Sequence, residues 1–374
     1  MITDPIGLYV HVPFCKSKCA YCDFLSFPAC TEKYEEDYVD ALIREISSYK
    51  GEERIRVDTV FFGGGTPTLL SKDSFSRIAE AIYKTFQIMP NTEFTLEANP
   101  KTVLSESLAA YKEYGVNRIS LGLQSSHKNE LKKLGRIHNF DEFLASYELC
   151  RNAGIENINV DLMYGIVDQT LSSFEKTLCR VAALSCEHIS VYGLILESGT
   201  PLYNMRDKLT FPTEDEECDM YYLAADLLRS YGYLHYEISN YAKSGYECRH
   251  NLKYWRDAEY IGLGLAAHSY YGNKRFSNPE SFSEYFAPDM PNYRTETVIT
   301  KEDNAYEYAM MRLRLREGFS LNDYRERFSV SFTEGKEGYI ENLIGGGFLK
   351  IENGRISLTE KGFYVSNTIL SELI

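Results

Sequence analysis

The stretch Val10-His11-Val12-Pro13-Phe14-Cys15-Lys16-Ser17-Lys18-Cys19-Ala20-Tyr21-Cys22-Asp23-Phe24 sets three cysteines at C-x3-C-x2-C spacing, directly after the apolar run Gly7–Val12. Three thiolates are one fewer than the four that ordinarily hold a [4Fe–4S] cluster. A cluster held this way keeps one iron open to another ligand. Zinc is the other metal that close cysteines suggest, but it normally takes four ligands, often as C-x2-C pairs. The spare donors nearby are His11 and Cys30, and neither completes a familiar spacing. The spacing therefore points to an iron–sulfur cluster on Cys15, Cys19 and Cys22.

Outward from this motif, strand-like and helical stretches alternate. GLYVHV (7–12), VDTVFF (57–62), EFTLEA (93–98), NRISLGL (117–123), NINVDLM (157–163) and HISVYGLI (188–195) read as strands. Helical stretches at 34–50, 71–86, 105–114, 140–153 and 172–184 lie between them. Repeated βα units predict an α/β fold, a parallel sheet with helices outside. Six strands predict an incomplete (β/α)6 barrel rather than a closed eight. Ligands of such sheets bind at the carboxyl ends of the strands. The cysteines follow the first strand, and Gly63-Gly64-Gly65-Thr66-Pro67 follows the second. Glycine brings backbone close to a ligand because no Cβ intervenes, although a glycine run by itself also fits a tight βα turn. Glu97, Gln124, Arg136 and Asp161 fall at or near the ends of later units. Any one of them alone reads as a cap or a surface pair; four at one end read as a site.

Beyond the sixth unit, 214–231 predicts a helix and 235–242 a strand continuing the sheet. The stretch 245–300, rich in aromatics, Asn and Gly, predicts loops and short elements over the barrel mouth. Helices are expected at 302–316, 320–328 and 334–346, then a hairpin over 348–358 around Asn353-Gly354, and a last helix from 359. Helices followed by a hairpin resemble a winged helix. The expected division is 1–230, partial barrel; 231–300, barrel extension; and 301–374, a small C-terminal helical, winged-helix-like domain.

The chain has 374 residues, more than one core usually serves. Its net charge of −14 argues against general nucleic-acid binding, which needs a basic footprint, and makes the last module a packing or lid domain. Nine cysteines, an odd number, argue against a secreted disulfide framework. The six outside the motif (Cys30, Cys150, Cys179, Cys186, Cys218 and Cys248) read as ordinary thiols. No apolar run approaches the roughly 18 residues of a membrane span. The opening MITDPIGLYV lacks the basic start of a signal peptide, so a cytoplasmic location is expected.

With these residues in hand, the chain resembles the radical SAM superfamily. There the open iron of a three-cysteine cluster chelates the amino and carboxylate groups of S-adenosylmethionine (SAM). An electron from the cluster then cleaves the sulfonium and releases a 5′-deoxyadenosyl radical. Tyr21 matches an aromatic position of the superfamily expected near the adenine; a shield for the cluster is the alternative. The glycine run resembles the segment that pairs with the SAM amino group. Glu97 and Asp161 can accept from hydroxyls or balance positive charge, Arg136 can clamp a carboxylate, and Gln124 can do either. The whole set, with Tyr9 six residues before Cys15, is similar to the oxygen-independent coproporphyrinogen III oxidase family, which includes radical SAM heme chaperones of the HemW type. The resemblance covers essentially the full length. It implies that Tyr9, Gly64, Gly65, Thr66, Glu97, Gln124, Arg136 and Asp161 stand at SAM- or porphyrin-site positions, with Ile195 at a further adenosine-lining one.

Three departures separate the two branches. The oxidase pattern has a further cysteine two residues after the third, where this chain has Phe24. The oxidases carry a longer segment before the cysteines than the 14 residues here. And His250-Asn251-Leu252-Lys253-Tyr254-Trp255, an H-N-x-x-Y-W run, is similar to a signature of the heme chaperones. The favoured implication is a chaperone that binds haem and delivers it to target haem proteins such as respiratory enzymes. An unidentified electron donor would serve the cluster, cluster and SAM would regulate transfer or dimer formation, and a homodimer is left open. The alternative is an oxygen-independent coproporphyrinogen III oxidase that converts two propionates to vinyls, so enzyme status stays open; a radical SAM enzyme on an unrelated substrate is the third reading. For haem, an imidazole makes a good axial ligand and aromatic faces suit a flat macrocycle. His250, Tyr254, Trp255 and His268 are the candidates, with a Cys248 thiolate as a further one. His11, His127, His138, His188 and His235 read as structural. No catalytic residue is assigned.

Overall fold

The structure is a computed structural model that describes residues 4–28 and 32–374; Cys30 lies outside them. Six parallel strands pair in chain order: β1 (Ile6–Val12), β2 (Arg56–Gly64), β3 (Gln87–Ala98), β4 (Arg118–Gln124), β5 (Asn157–Tyr164) and β6 (His188–Gly193). Between them run α1 (Glu32–Ser48), α2 (Lys72–Thr85), α3 (Ser105–Glu113), the short α4 (Lys128–Lys133), α5 (Phe140–Asn152) and α6 (Leu171–Ala182). This is the incomplete barrel that the βα alternation predicts.

The strands divide their residues by parity, because side chains along a strand alternate between faces. Leu8, Val10, Val60, Phe62, Phe94, Leu96, Ile119, Leu121, Ile158, Val160, Ile189 and Val191 belong to the main hydrophobic core. Each such side chain, fully buried, contributes about 1.5–3 kcal/mol. Residues of the other parity, Tyr9, Phe61, Glu97, Ser120, Asn159, Asp161 and Ser190, line the barrel interior. That face is mostly polar, as expected for one that meets a ligand rather than helices. Helix starts are fixed locally. Reciprocal side-chain and backbone bonds cap α5 at Asn139 with Glu142, and α6 at Thr170 with Ser173.

The sheet does not stop at six strands. Among the described residues it has twelve, and it grows at both edges. After α7 (Glu214–Ser230), the stretch expected as one strand is a hairpin of β7 (Leu234–Glu237) and β8 (Asn240–Ala242), with β8 antiparallel to β6. At the other edge, β9 (Tyr260–Leu263) lies parallel to β1 with Gly7 opposite Tyr260. Then β10 (His268–Tyr271), β11 (Lys274–Ser277) and β12 (Thr295–Val298) follow antiparallel. Within 245–300, where loops and short elements are expected, the Tyr- and Phe-rich segments form short strands that extend the sheet's edge, in line with aromatic strand preference. Only α8 (Arg249–Trp255) turns toward the barrel interior.

Glu45 on α1 ties this edge down. Fully buried, it accepts from Gly264 N at 2.8 Å, Tyr285 Oη at 2.8 Å and Asn278 Nδ2 at 2.7 Å. It also pairs with Arg294 at 2.8 Å. Burial pushes its carboxyl above the ordinary range while Arg294 pulls it back.

The last segment has its own core, built on Leu313, Phe319, Tyr324, Phe328, Ile340, Leu349, Ile356, Phe363 and Leu370. It comprises α9 (Lys301–Arg312), α10 (Leu321–Phe328), α11 (Glu337–Gly345), β13 (Leu349–Glu352), β14 (Arg355–Leu358), α12 (Glu360–Tyr364) and α13 (Ser366–Leu373). The hairpin turns at Asn353 and Gly354, both with positive φ (51° and 73°), as a two-residue turn of this kind demands. Among the described residues no helix is long and apolar enough to cross a membrane.

Candidate functional site

The cysteine loop is held at the carboxyl ends of β1 and β2 by backbone bonds. Gly65 N donates to Val12 O at 2.8 Å and Thr66 N to Phe14 O at 2.7 Å. A Cβ at position 65 would stand 2.4 Å from Phe14 O, so only glycine allows this approach. On its far side, Ala20 N donates to Leu134 O at 3.0 Å, just past α4, and Leu202 N donates to Ala20 O at 2.8 Å. His11 braces the loop from within the barrel. Its Nε2 lies 2.9 Å from Leu25 O, which can only accept, so Nε2 carries the proton and Nδ1 accepts from Tyr9 Oη at 3.0 Å.

Cys15, Cys19 and Cys22 are each half-buried and all line one cavity of about 470 Å³ inside the barrel, a volume typical of small-ligand sites. Of the residues singled out in the sequence, Tyr9, Tyr21, Gly64, Gly65, Glu97, Gln124, Arg136, Asp161, His250 and Tyr254 share it. Thr66 sits behind the cysteines, with Oγ1 3.7 Å from Cys15 Sγ. Arg136 lies across the cavity wall: Nη1 donates to Cys19 Sγ at 3.5 Å, while Nη2 donates to Asn99 Oδ1 at 2.7 Å and to Gly122 O. Gln124 ends β4 in the left-handed region, with φ of 71°. A non-glycine residue is held there only where its surroundings insist.

Two carboxylates face each other across the wall. Asp161 accepts from Asn159 Nδ2 at 2.7 Å and Ser120 Oγ at 3.1 Å, and Glu97 accepts from Gly64 N at 3.2 Å. Desolvation, and then the charge of Asp161, push Glu97 up to about 8. A carboxyl raised in the folded state contributes stability below its unfolded pKa of about 4.5, and loses it as pH rises toward 8. The ligand-free Glu97→Gln protein should therefore gain melting temperature over the parent between pH 6 and pH 9, with Gln Oε1 still able to accept from Gly64. Parallel melting curves with a constant gap across that range would contradict the assignment.

The haem candidates separate. His250 is 1% exposed, and both its ring nitrogens are engaged, Nδ1 with Thr59 Oγ1 at 2.9 Å and Nε2 with Tyr254 Oη at 2.8 Å. Burial lowers its pKa to about 3, so it is neutral. It stacks on Phe61 at 5.2 Å between ring centroids. The ring is a wall of the cavity, with neither nitrogen free. Cys248 is fully buried and its thiol is pushed up to about 12 by burial, which keeps it protonated. Trp255 is not part of the cavity lining; the Arg314 guanidinium lies 5.7 Å from its ring centroid. His268 is exposed on β10, and Ile195, 68% exposed, lies past the end of β6. The structure brings neither into the cavity. Tyr192, of the inward parity of β6, lines the cavity. Asn99, Arg118, Ser120, Asn159 and Ser190 also line the cavity and were not singled out in the sequence. Asn99 stands two residues beyond Glu97, and the others follow the inward parity of β4, β5 and β6.

Residues 9–180 match the radical SAM superfamily and residues 299–365 match the HemN C-terminal domain. The fold is similar to that of coproporphyrinogen III oxidase (HemN) from Escherichia coli, with a TM-score of 0.86 at 23% identity over 99% of this chain and 90% of that one. Fold and sequence together define a radical SAM protein with a HemN-type C-terminal domain. The heme chaperone HemW of Lactococcus lactis is 34% identical over 100% of this chain and 98% of its own length. That of Bacillus subtilis is 34% identical over 98% of both, and that of Escherichia coli 39% identical over 71% of this chain and 70% of its own. The chain belongs to the HemW heme chaperone family.

Proposed function

We propose that this chain is a radical SAM heme chaperone. It holds a [4Fe–4S] cluster on Cys15, Cys19 and Cys22 and binds SAM in the barrel cavity. It takes haem as cargo and passes it to recipient haem proteins in the cytoplasm, with a low-potential electron donor serving the cluster. The residues fit these groups. Three thiols face one cavity, and donors from Arg136 and Thr66 already point at two of the sulfurs. Buried Arg136 Nε has no partner among the described residues, which leaves a donor for an anionic group of a ligand. When bound, cluster and SAM supply one-electron chemistry. The protein's own part is to position and to neutralise. The Gly64-Gly65 backbone admits the amino-acid end of SAM. Arg136 balances its carboxylate and the thiolates. Glu97, Gln124 and Asp161 take hydroxyls or positive charge, and Tyr21 offers a flat face to the adenine. Tyr9, through His11, keeps the loop in register with β1.

The observation that carries the chaperone reading over the oxidase is Phe24. It lines the cavity and is 68% exposed, where the oxidase pattern has a further cysteine. The H-N-x-x-Y-W helix closes one wall through His250, Asn251 and Tyr254. His250 can reach an iron only by giving up its bond to Tyr254 or to Thr59. The deciding experiment gives anaerobically reconstituted protein, with its iron content verified, coproporphyrinogen III, SAM and a strong reductant. No protoporphyrinogen IX is expected, while the same preparation binds haem and hands it to an apo-haem protein. Multiple turnovers to protoporphyrinogen IX would replace this reading with the oxidase.

A further inference from the structure

We propose that Asn99 is a positioning residue that sets the reduction potential of the cluster by aiming two hydrogen-bond donors at its cysteine sulfurs. The proposal rests on the reading that Cys15, Cys19 and Cys22 hold a cluster.

The chemistry of the partners fixes the direction of every bond. Arg136 has no acceptor, so the atom of Asn99 that meets Arg136 Nη2 at 2.7 Å is the amide oxygen. The amide nitrogen therefore faces Thr66 and donates to its Oγ1 at 2.8 Å. A hydroxyl that accepts from an amide turns its own proton elsewhere, and the other partner of Thr66 Oγ1 is Cys15 Sγ at 3.7 Å. The second arm runs through Arg136, whose Nη1 donates to Cys19 Sγ at 3.5 Å while Asn99 holds Nη2 together with Gly122 O. One amide thus orients a neutral donor onto one sulfur and a charged donor onto another. Donors to cluster sulfurs stabilise the more negative, reduced state and raise the potential.

The backbone at Asn99 does not depend on its side chain. Asn99 N donates to Thr102 Oγ1 at 3.2 Å, and Thr102 Oγ1 donates back to Asn99 O at 2.7 Å. Gly122 clears the space on the other side. A Cβ there would stand 2.7 Å from Arg136 Nη2 and 3.1 Å from Asn99 Oδ1.

The test is an EPR-monitored redox titration of the reconstituted cluster without SAM. Asn99→Ala, at parental iron content, should lower the ratio of reduced to oxidised cluster at a fixed potential about tenfold, a shift of about 59 mV for one electron. Thr66→Val should shift in the same direction, and Thr66→Ser should titrate like the parent. Asn99→Ala should shift the potential less on the Thr66→Val background than alone, because one arm is already gone. An unchanged midpoint in Asn99→Ala, or fully additive shifts, overturns the proposal. If Asn99→Ala does not hold a cluster, near-isosteric Asn99→Asp decides. It keeps the acceptor for Arg136 but takes the Thr66 proton away from Cys15. Because its charge alone also lowers the midpoint, its shift should shrink on the Thr66→Val background, and a parental midpoint or a shift unchanged on that background overturns the proposal. A parent protein that never assembles a cluster refutes the underlying cluster reading instead.

Discussion

In a Cys19→Ala protein, iron falls to background and no [4Fe–4S] signal develops on reduction. The same is expected of Cys15→Ala and Cys22→Ala. Three thiolates are already the minimum for this cluster, and no fourth donor stands ready among the described residues. His11 is committed to Tyr9 and Leu25. Cys248 is fully buried and protonated beside Glu93, 3.7 Å away. The fold should survive, because the three side chains are only half-buried and the loop is held by backbone bonds from Val12, Phe14, Ala20 and Leu134. The measurement is iron and sulfide content with EPR, set beside a thermal melt of the ligand-free protein. Full iron content in any of the three variants would sink the cluster assignment.

Gly65→Ala should be nearly as damaging, by a different route. The added methyl would stand 2.4 Å from Phe14 O and 2.9 Å from Val12 O, both backbone atoms that cannot swing aside. Relief requires the end of β2 to leave the cysteine loop, which stretches the bonds from Gly65 N to Val12 O and from Thr66 N to Phe14 O. Overpacking against backbone costs about 3 kcal/mol, and each weakened bond adds about 1 kcal/mol. We expect a lower unfolding midpoint in urea and poor cluster loading. Gly338→Ala is the control, since its added methyl on α11 would meet nothing within 4 Å; it should be neutral or slightly stabilising. A Gly65→Ala protein that melts and loads like the parent would show that the loop yields more easily than its contacts imply.

Much of this architecture could be read from the chain because its signals are local. Strand parity, the cysteine spacing and the glycines at the end of β2 each lie within about ten residues. The polar residues at the strand ends converge as the barrel requires. What escaped the sequence depends on distant partners. The pairing of β1 with β9 joins Gly7 to Tyr260, and strands of four residues carry too little periodicity to announce themselves. His250 looked like an available ligand because Thr59, which occupies its Nδ1, lies 191 positions away. Trp255 shows a subtler limit. On a helix each step turns about 100°, so 250 and 254 stand about 40° apart while 255 is turned about 140° from 250. That separation was within reach once 249–255 was known to be a helix, and not before.

The position of Trp255 has a practical consequence for anyone studying this protein in solution. It is the chain's sole indole. It lies beside Arg314 and buried Glu237, where Ile238 N donates to Arg314 O at 3.2 Å and Arg316 N to Tyr236 O at 3.1 Å. Its fluorescence therefore gauges the seam between the sheet and the C-terminal lobe: a change on adding a barrel ligand that does not absorb indole emission would register movement there, whereas haem would also quench it by energy transfer.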